Sequence, residues 1–246
     1  MKSNFKLLSG NTLKIIAAIS MLIDHIGLIL FPWDMTFRII GRLAFPIFAF
    51  MIAQGCKYTR NRLRYFLTVF CVGMVCQVVN WVLHVEEYLC ILLTFSISIL
   101  LIYMLQLAKE TLSSEESKGT RKALVSLATV GAFVSTFVFV LLVPTDYGFA
   151  GVLTPVFASV FAWRKEQFPP EQYVRFDNNT VHTLMMVPPL LIIALEIDLY
   201  IQYFSFLAIP LLLMYSGKRG RLPLKYLFYV FYPLHLAVLG VISFVK

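Results

Sequence analysis

The chain has 246 residues, of which 59% are hydrophobic and only 14% charged, and its 21 Lys and Arg outnumber 13 Asp and Glu for a net charge of +8. A soluble domain carries about 25% charge, so this composition excludes a soluble fold: there is too much apolar surface to hide from water. Lipid can solvate it, provided every backbone amide is satisfied within a helix or a closed barrel.

The apolar runs are continuous rather than alternating, which favours helices over a barrel. The expected fold is therefore an all-α polytopic integral membrane bundle forming one domain over residues 1–246. Nine spans are read in chain order, at about 12–32, 38–56, 62–83, 88–108, 122–143, 147–163, 181–197, 199–216 and 224–245. The first lacks a small-residue cleavage site after a short apolar core, so it reads as a retained helix and not as a signal peptide. The sixth and seventh fall short of the roughly 20 residues a crossing needs, and fit a tilted or re-entrant placement.

Charge tests the nine-span reading, because Lys and Arg concentrate in cytoplasmic loops. With the N-terminus inside, the basic residues cluster in alternate loops, at 2–14, 57–64, 109–122, 164–175 and 218–225, and only Arg38, Arg42 and Lys246 fall elsewhere. Anionic headgroups of membrane lipids account for short basic loops of this kind. A phosphorylated cytosolic donor is a second partner they suit, whereas nucleic acid is not an expected one. The opposite side carries Asn80 and His84 at the end of the third span, then Glu86 and Glu87. Asp146 and Tyr147 open the sixth span, and Glu196 and Asp198 lie between the seventh and eighth.

Ionisable groups within spans are the informative ones, since each costs about 2.5 kcal/mol or more in hydrocarbon. Asp24 and His25 sit in LKIIAAISMLIDHIGLIL. Adjacent helical residues do not face each other, so Asp24 either orients the imidazole through an intermediary or serves another partner. The pair is either a structural hydrogen-bonding element or a functional one, His25 being able to take a proton from an acceptor and return it. In FRIIGRLAFPIFAF, Arg38 and Arg42 share a helical face. Arg38 is placed to snorkel to the interface. Arg42 lies a turn deeper and needs an anion: Asp24, a donor phosphate or a reaction oxyanion. Pro46 removes a backbone hydrogen bond nearby and can kink the helix. In KYLFYVFYPLHLAVL, Tyr229, Tyr232 and His235 recur at three-residue steps. Tyrosines there suit an interface or packing, but His235 lies deeper than an aromatic belt and can face His25 across a cavity.

These residues resemble a known family. DHIGLILFP, FRIIGRLAFPIFAFMIAQG, TDYGFAGVL and LFYVFYPLHLAVL, in this order over nearly the whole chain, resemble the TraX family, named for a membrane protein that N-acetylates pilin and related to wider transmembrane acyltransferases. The resemblance implies an acetyl-CoA-dependent acetyltransferase of the bacterial plasma membrane. It puts His25 and Arg42 in catalytic roles and makes Asp146, Tyr147 and His235 motif positions; Asp24, beside His25 in the chain, is expected to join the catalytic set by favouring the charged imidazole. Arg38, Asn80 and Tyr232 join them as expected substrate contacts. The implied partners are acetyl-CoA as donor and a peptide, pilin-like or glycan acceptor.

The competing reading is a proton- or anion-coupled transporter using Asp24, His25 and Arg42 as a relay, although no inverted repeat is visible. Neither a metal nor a disulfide is expected. Cys56, Cys71, Cys76 and Cys90 form no CxxC pair, and His84 and His182 belong near opposite faces.

Overall fold

The computed structural model describes residues 7–83, 88–164, 174–196, 200–221 and 224–245. His84, Glu86, Glu87 and Asp198 lie outside them, as do Lys2, Lys6, Lys165 and Lys246. The fold is all-helical, and among the described residues the only β pairings are two isolated bridges.

Helix α1, Gly10–Leu30, is N-capped by Ser9, whose hydroxyl accepts from the Thr12 amide at 3.1 Å. The predicted second span is two helices, α2 Met35–Gly41 and α3 Ala44–Tyr58. The break at Arg42 and Leu43 has a clear cause. Pro46 has no N–H for the carbonyl four residues back, which is that of Arg42, and its ring crowds the same carbonyl. The chain turns there, so Arg42 projects from a helix end.

Helices α4 Arg62–Leu83, α5 Ile91–Ser113 and α6 Gly119–Leu142 follow, then the shorter α7 Gly148–Ser159. The seventh predicted span is again divided, into α8 Asn179–Leu184 and α9 Val187–Glu196, where Pro188 and Pro189 withhold two donors. The eighth is a 3-10 turn, Tyr200–Leu207, running into α10 Ala208–Leu213, and the last is α11 Lys225–Val245. Six helical segments of the described residues are long and apolar enough to cross a membrane: α1, α2 with α3, α4, α5, α6, and α8 with α9. The other three predicted spans coincide with shorter apolar helices. Several long apolar helices mark the chain as a membrane protein.

Helix α3 is central, with Ile47, Ala49, Phe50 and Cys56 fully buried. It packs on α1, α5 and α7, while α11 closes the bundle against α1 and α4. Helix α6 is peripheral: Leu124, Leu127, Val134, Leu141 and Leu142 are all exposed, an outer face that lipid solvates without penalty.

The basic end of the bundle, where α1 begins and α3 ends, is tied by charge. Lys57 and His182 both reach Asp177 Oδ1, at 2.5 and 3.0 Å. Lys109 donates to the carbonyls of Ser159, Val160 and Ala162, which terminate α7. Arg164 donates to the Thr59 carbonyl at 3.0 Å. Burial acts to raise the Asp177 carboxyl, but hydrogen bonds from His182 and Lys57 outweigh it and hold the carboxyl below its ordinary value.

Candidate functional site

The other half of the bundle holds a cavity of about 270 Å³ between α1, the α2–α3 break, the start of α7 and α11. Asp24, His25, Arg38, Arg42, Asn80, Asp146, Tyr147 and Tyr232 line it. Of the residues singled out in the sequence, His235 stands just behind that wall, bonded to His25.

Asp24 is held by both arginines. Arg38 Nη1 donates to Oδ2 and Arg42 Nη2 to Oδ1, each at 2.7 Å. Arg38 thus turns inward to the carboxylate and does not snorkel outward. The approach depends on Gly41, where an added Cβ would lie 2.0 Å from Asp24 Oδ1. Ser20 fixes the same crossing by donating to the Ile40 carbonyl. Arg42, 4% exposed, also donates through Nε to the Arg38 carbonyl and through Nη1 to the Tyr147 hydroxyl, both at 3.1 Å. One guanidinium therefore joins a carboxylate, a backbone carbonyl and a phenol, a planar fork that lysine could not supply.

Tyr147 is brought there by an unusual backbone. Its φ is 59°, in the left-handed region that bulky residues rarely adopt. A parallel bridge pins the turn: the Leu89 amide donates to the Pro144 carbonyl and the Asp146 amide to the Leu89 carbonyl, at 2.9 and 3.0 Å. The Tyr147 ring stacks on Phe45 with centroids 4.2 Å apart. Strain of this kind persists only where surrounding structure over-determines it.

His25 does not bond to Asp24. Its Nδ1 lies 2.9 Å from Nε2 of His235, whose own Nδ1 lies 2.8 Å from the Phe231 carbonyl. A carbonyl only accepts, so His235 Nδ1 carries a proton. In the neutral pair His235 Nε2 must then accept, and His25 Nδ1 must donate. The His25 lone pair consequently resides on Nε2, the form a proton acceptor needs.

Gln202 and Tyr88, which belong to none of the sequence motifs, also line the cavity, as do Thr145 and Cys90. Gln77 braces that wall, accepting from the Cys90 amide at 2.7 Å. A lone amide inside an apolar span was a usable signal for Gln202. Nothing in the sequence distinguishes the Phe231 carbonyl, since every residue has one.

Residues 9–243 match the family described as TraX protein. A probable fimbrial assembly protein, FimC of serogroup H1 from Dichelobacter nodosus, is 27% identical over 249 residues, covering 94% of each chain. An uncharacterized protein of Rickettsia prowazekii (strain Madrid E) is 35% identical over 82 residues, 33% of this chain and 29% of its own. No solved structure matches.

Proposed function

This chain belongs to the TraX family, and on that premise we propose that it is a membrane-embedded acetyltransferase, moving acetyl from cytoplasmic acetyl-CoA to an amine or hydroxyl acceptor. The observation that carries this reading is the hydrogen-bonded His25 and His235 pair, with the His25 lone pair on Nε2, at a polar cavity. The alternation of basic loops supports nine crossings of the bacterial plasma membrane with the N-terminus in the cytoplasm, the whole chain forming one domain. The relative named for fimbrial assembly favours the N-terminal amine of a pilin-like subunit as acceptor.

In this mechanism the acceptor nitrogen attacks the thioester carbonyl while His25 Nε2 takes its proton. The C–N bond forms, the C–S bond breaks, and the proton passes from His25 to the departing thiolate, leaving CoA as the free thiol. Arg42 donates to the Tyr147 oxygen, which leaves the phenolic proton to be donated to the carbonyl oxygen as negative charge develops. Asp24 keeps both arginines in place and offsets their charge. His235 is a positioning residue that fixes the His25 tautomer.

The test is transfer of radiolabelled acetyl from acetyl-CoA by the purified protein in lipid nanodiscs, to a peptide with a free N-terminus and to the same peptide blocked. Label is expected on the free peptide only, and lost with His25→Ala. Transfer no greater than in empty nanodiscs, or equal transfer by His25→Ala, would sink the proposal.

A further inference from the structure

A second cavity, of about 110 Å³, adjoins the first in the middle of the bundle, between α1, α3, α4 and α11. The two share Met21, Phe48 and Tyr232 in their walls. The Phe48 and Tyr232 rings, with centroids 6.4 Å apart, stand as the partition between them. Beyond it the lining is apolar until Lys14, Tyr65 and Tyr229, at the basic end. From Lys14 to His25 is about 16 Å along α1 at the helical rise, a span matched by an extended pantetheine arm.

What lies at the Lys14 end is specific. The Lys218 and Arg219 carbonyls accept from the Gly10 and Asn11 amides, each at 2.8 Å, so the loop is clamped onto the first turn of α1. Gly220, at φ 98°, allows this closeness: an added Cβ would meet Ser9 Oγ at 2.9 Å. With their backbone so held, the side chains of Lys218, Arg219 and Arg221 are exposed. Met51 links the loop to the cavity, since it lines the cavity and its Cε lies 3.2 Å from where a Gly10 side chain would begin. Lys57, Lys109 and Arg164, also at this end, hold Asp177 or backbone carbonyls.

We infer that this apolar compartment is the passage for the donor's pantetheine arm, with the donor phosphates on Lys14 and the clamped 218–221 loop, and with Phe48 and Tyr232 as the gate through which the acyl end reaches His25. The inference rests on the acetyl-CoA reading above and adds a subsite to it. The arrangement fits one occupant: a long, uncharged, slender arm with an anionic head, where the length matches the passage and the charge matches its mouth.

The test measures CoA binding by calorimetry to the full chain in nanodiscs, alongside KM values for acetyl-CoA and for acetyl-pantetheine, which lacks the nucleotide phosphates. Met51→Trp, which fills the compartment, should weaken CoA binding at least tenfold. Paired Lys218→Glu and Arg219→Glu changes alter only exposed side chains and do not depend on core packing. They should raise the ratio of the acetyl-CoA KM to the acetyl-pantetheine KM at least tenfold. If Met51→Trp keeps its thermal midpoint and binds CoA as wild type does, or if the loop changes leave the ratio alone, the passage is wrong while acetyl transfer still stands. If wild type neither binds CoA nor transfers acetyl, both proposals fall.

Discussion

His235 Nε2 sits 2.9 Å from His25 Nδ1, and the Phe231 carbonyl on the far side of the His235 ring decides which of the two donates. Removing the base and removing its orienter should therefore differ. His25→Ala is expected to lower kcat by about 10²- to 10⁴-fold, the usual worth of positioned proton transfer. His235→Leu should cost less and shift the pH–rate profile. His235→Gln, whose amide oxygen can still accept from His25 Nδ1, should recover part of the loss. Peptide acetylation measured across pH separates these outcomes, and identical profiles for the Leu and Gln variants would count against orientation.

Asp24 compensates two guanidiniums, one of them almost wholly buried. Asp24→Asn leaves Arg42 without its carboxylate, and breaking a buried pair costs about 3–5 kcal/mol; the partial exposure of Arg38 puts the expected loss at the lower end. A clear fall in the thermal midpoint in detergent should accompany loss of activity.

Gly41→Ala tests the same crossing by volume alone. With the new methyl 2.0 Å from Asp24 Oδ1, α2 must move off α1 or the ion pair must open. Overpacking of this kind costs about 1–3 kcal/mol. Activity should fall further than stability, and an unchanged KM and kcat would show that the Asp24 geometry is not needed.

At the basic end, Asp177 is held below its ordinary carboxyl range by His182 and Lys57, against the opposing pull of burial. A depressed acid contributes stability that is fully present above its unfolded value and is lost as pH falls through the folded one. The thermal midpoint should accordingly drop on acidification below about pH 4. Asp177→Asn should be less stable at neutral pH and lose less on acidification through that window.

The topology is checked by single cysteines on a cysteine-free background. Position 118 should be labelled from the cytoplasm and position 144 from outside, because both side chains are exposed and the basic 109–122 loop and the 144–147 turn flank α6 at opposite ends. Labelling of both from one side would break the nine-crossing proposal.

Much of the site was visible in the sequence because hydrocarbon makes ionisable residues conspicuous. Asp24, His25, Arg38 and Arg42 stood out for that reason, and all four meet at one cavity. Their pairing was not visible. Which anion serves Arg42 depends on the turn at residues 42 and 43, and the partner of His25 lies 210 residues away on α11. Pro46 announced a disturbance, but only the packed bundle shows that α2 ends at Gly41 and leaves Arg42 as its cap. Tyr147 was read as a motif position, whereas its left-handed backbone follows from the Leu89 bridge, a pairing between loops that no periodicity signals.

Arg42 and Pro46 are separated by a fixed number of residues, and that number carries meaning of its own. Each residue added or removed between them would rotate one relative to the other by about 100° about the helix axis. The guanidinium would then swing from Asp24 and Tyr147 toward the packed side of α3. Divergence can exchange the half-buried Leu43 for another apolar residue of similar volume at modest cost, but it cannot alter the count of residues from 43 to 45. In this stretch heredity is expected to act on spacing more than on identity, so a library of one-residue insertions and deletions here should be purged where a library of apolar substitutions survives.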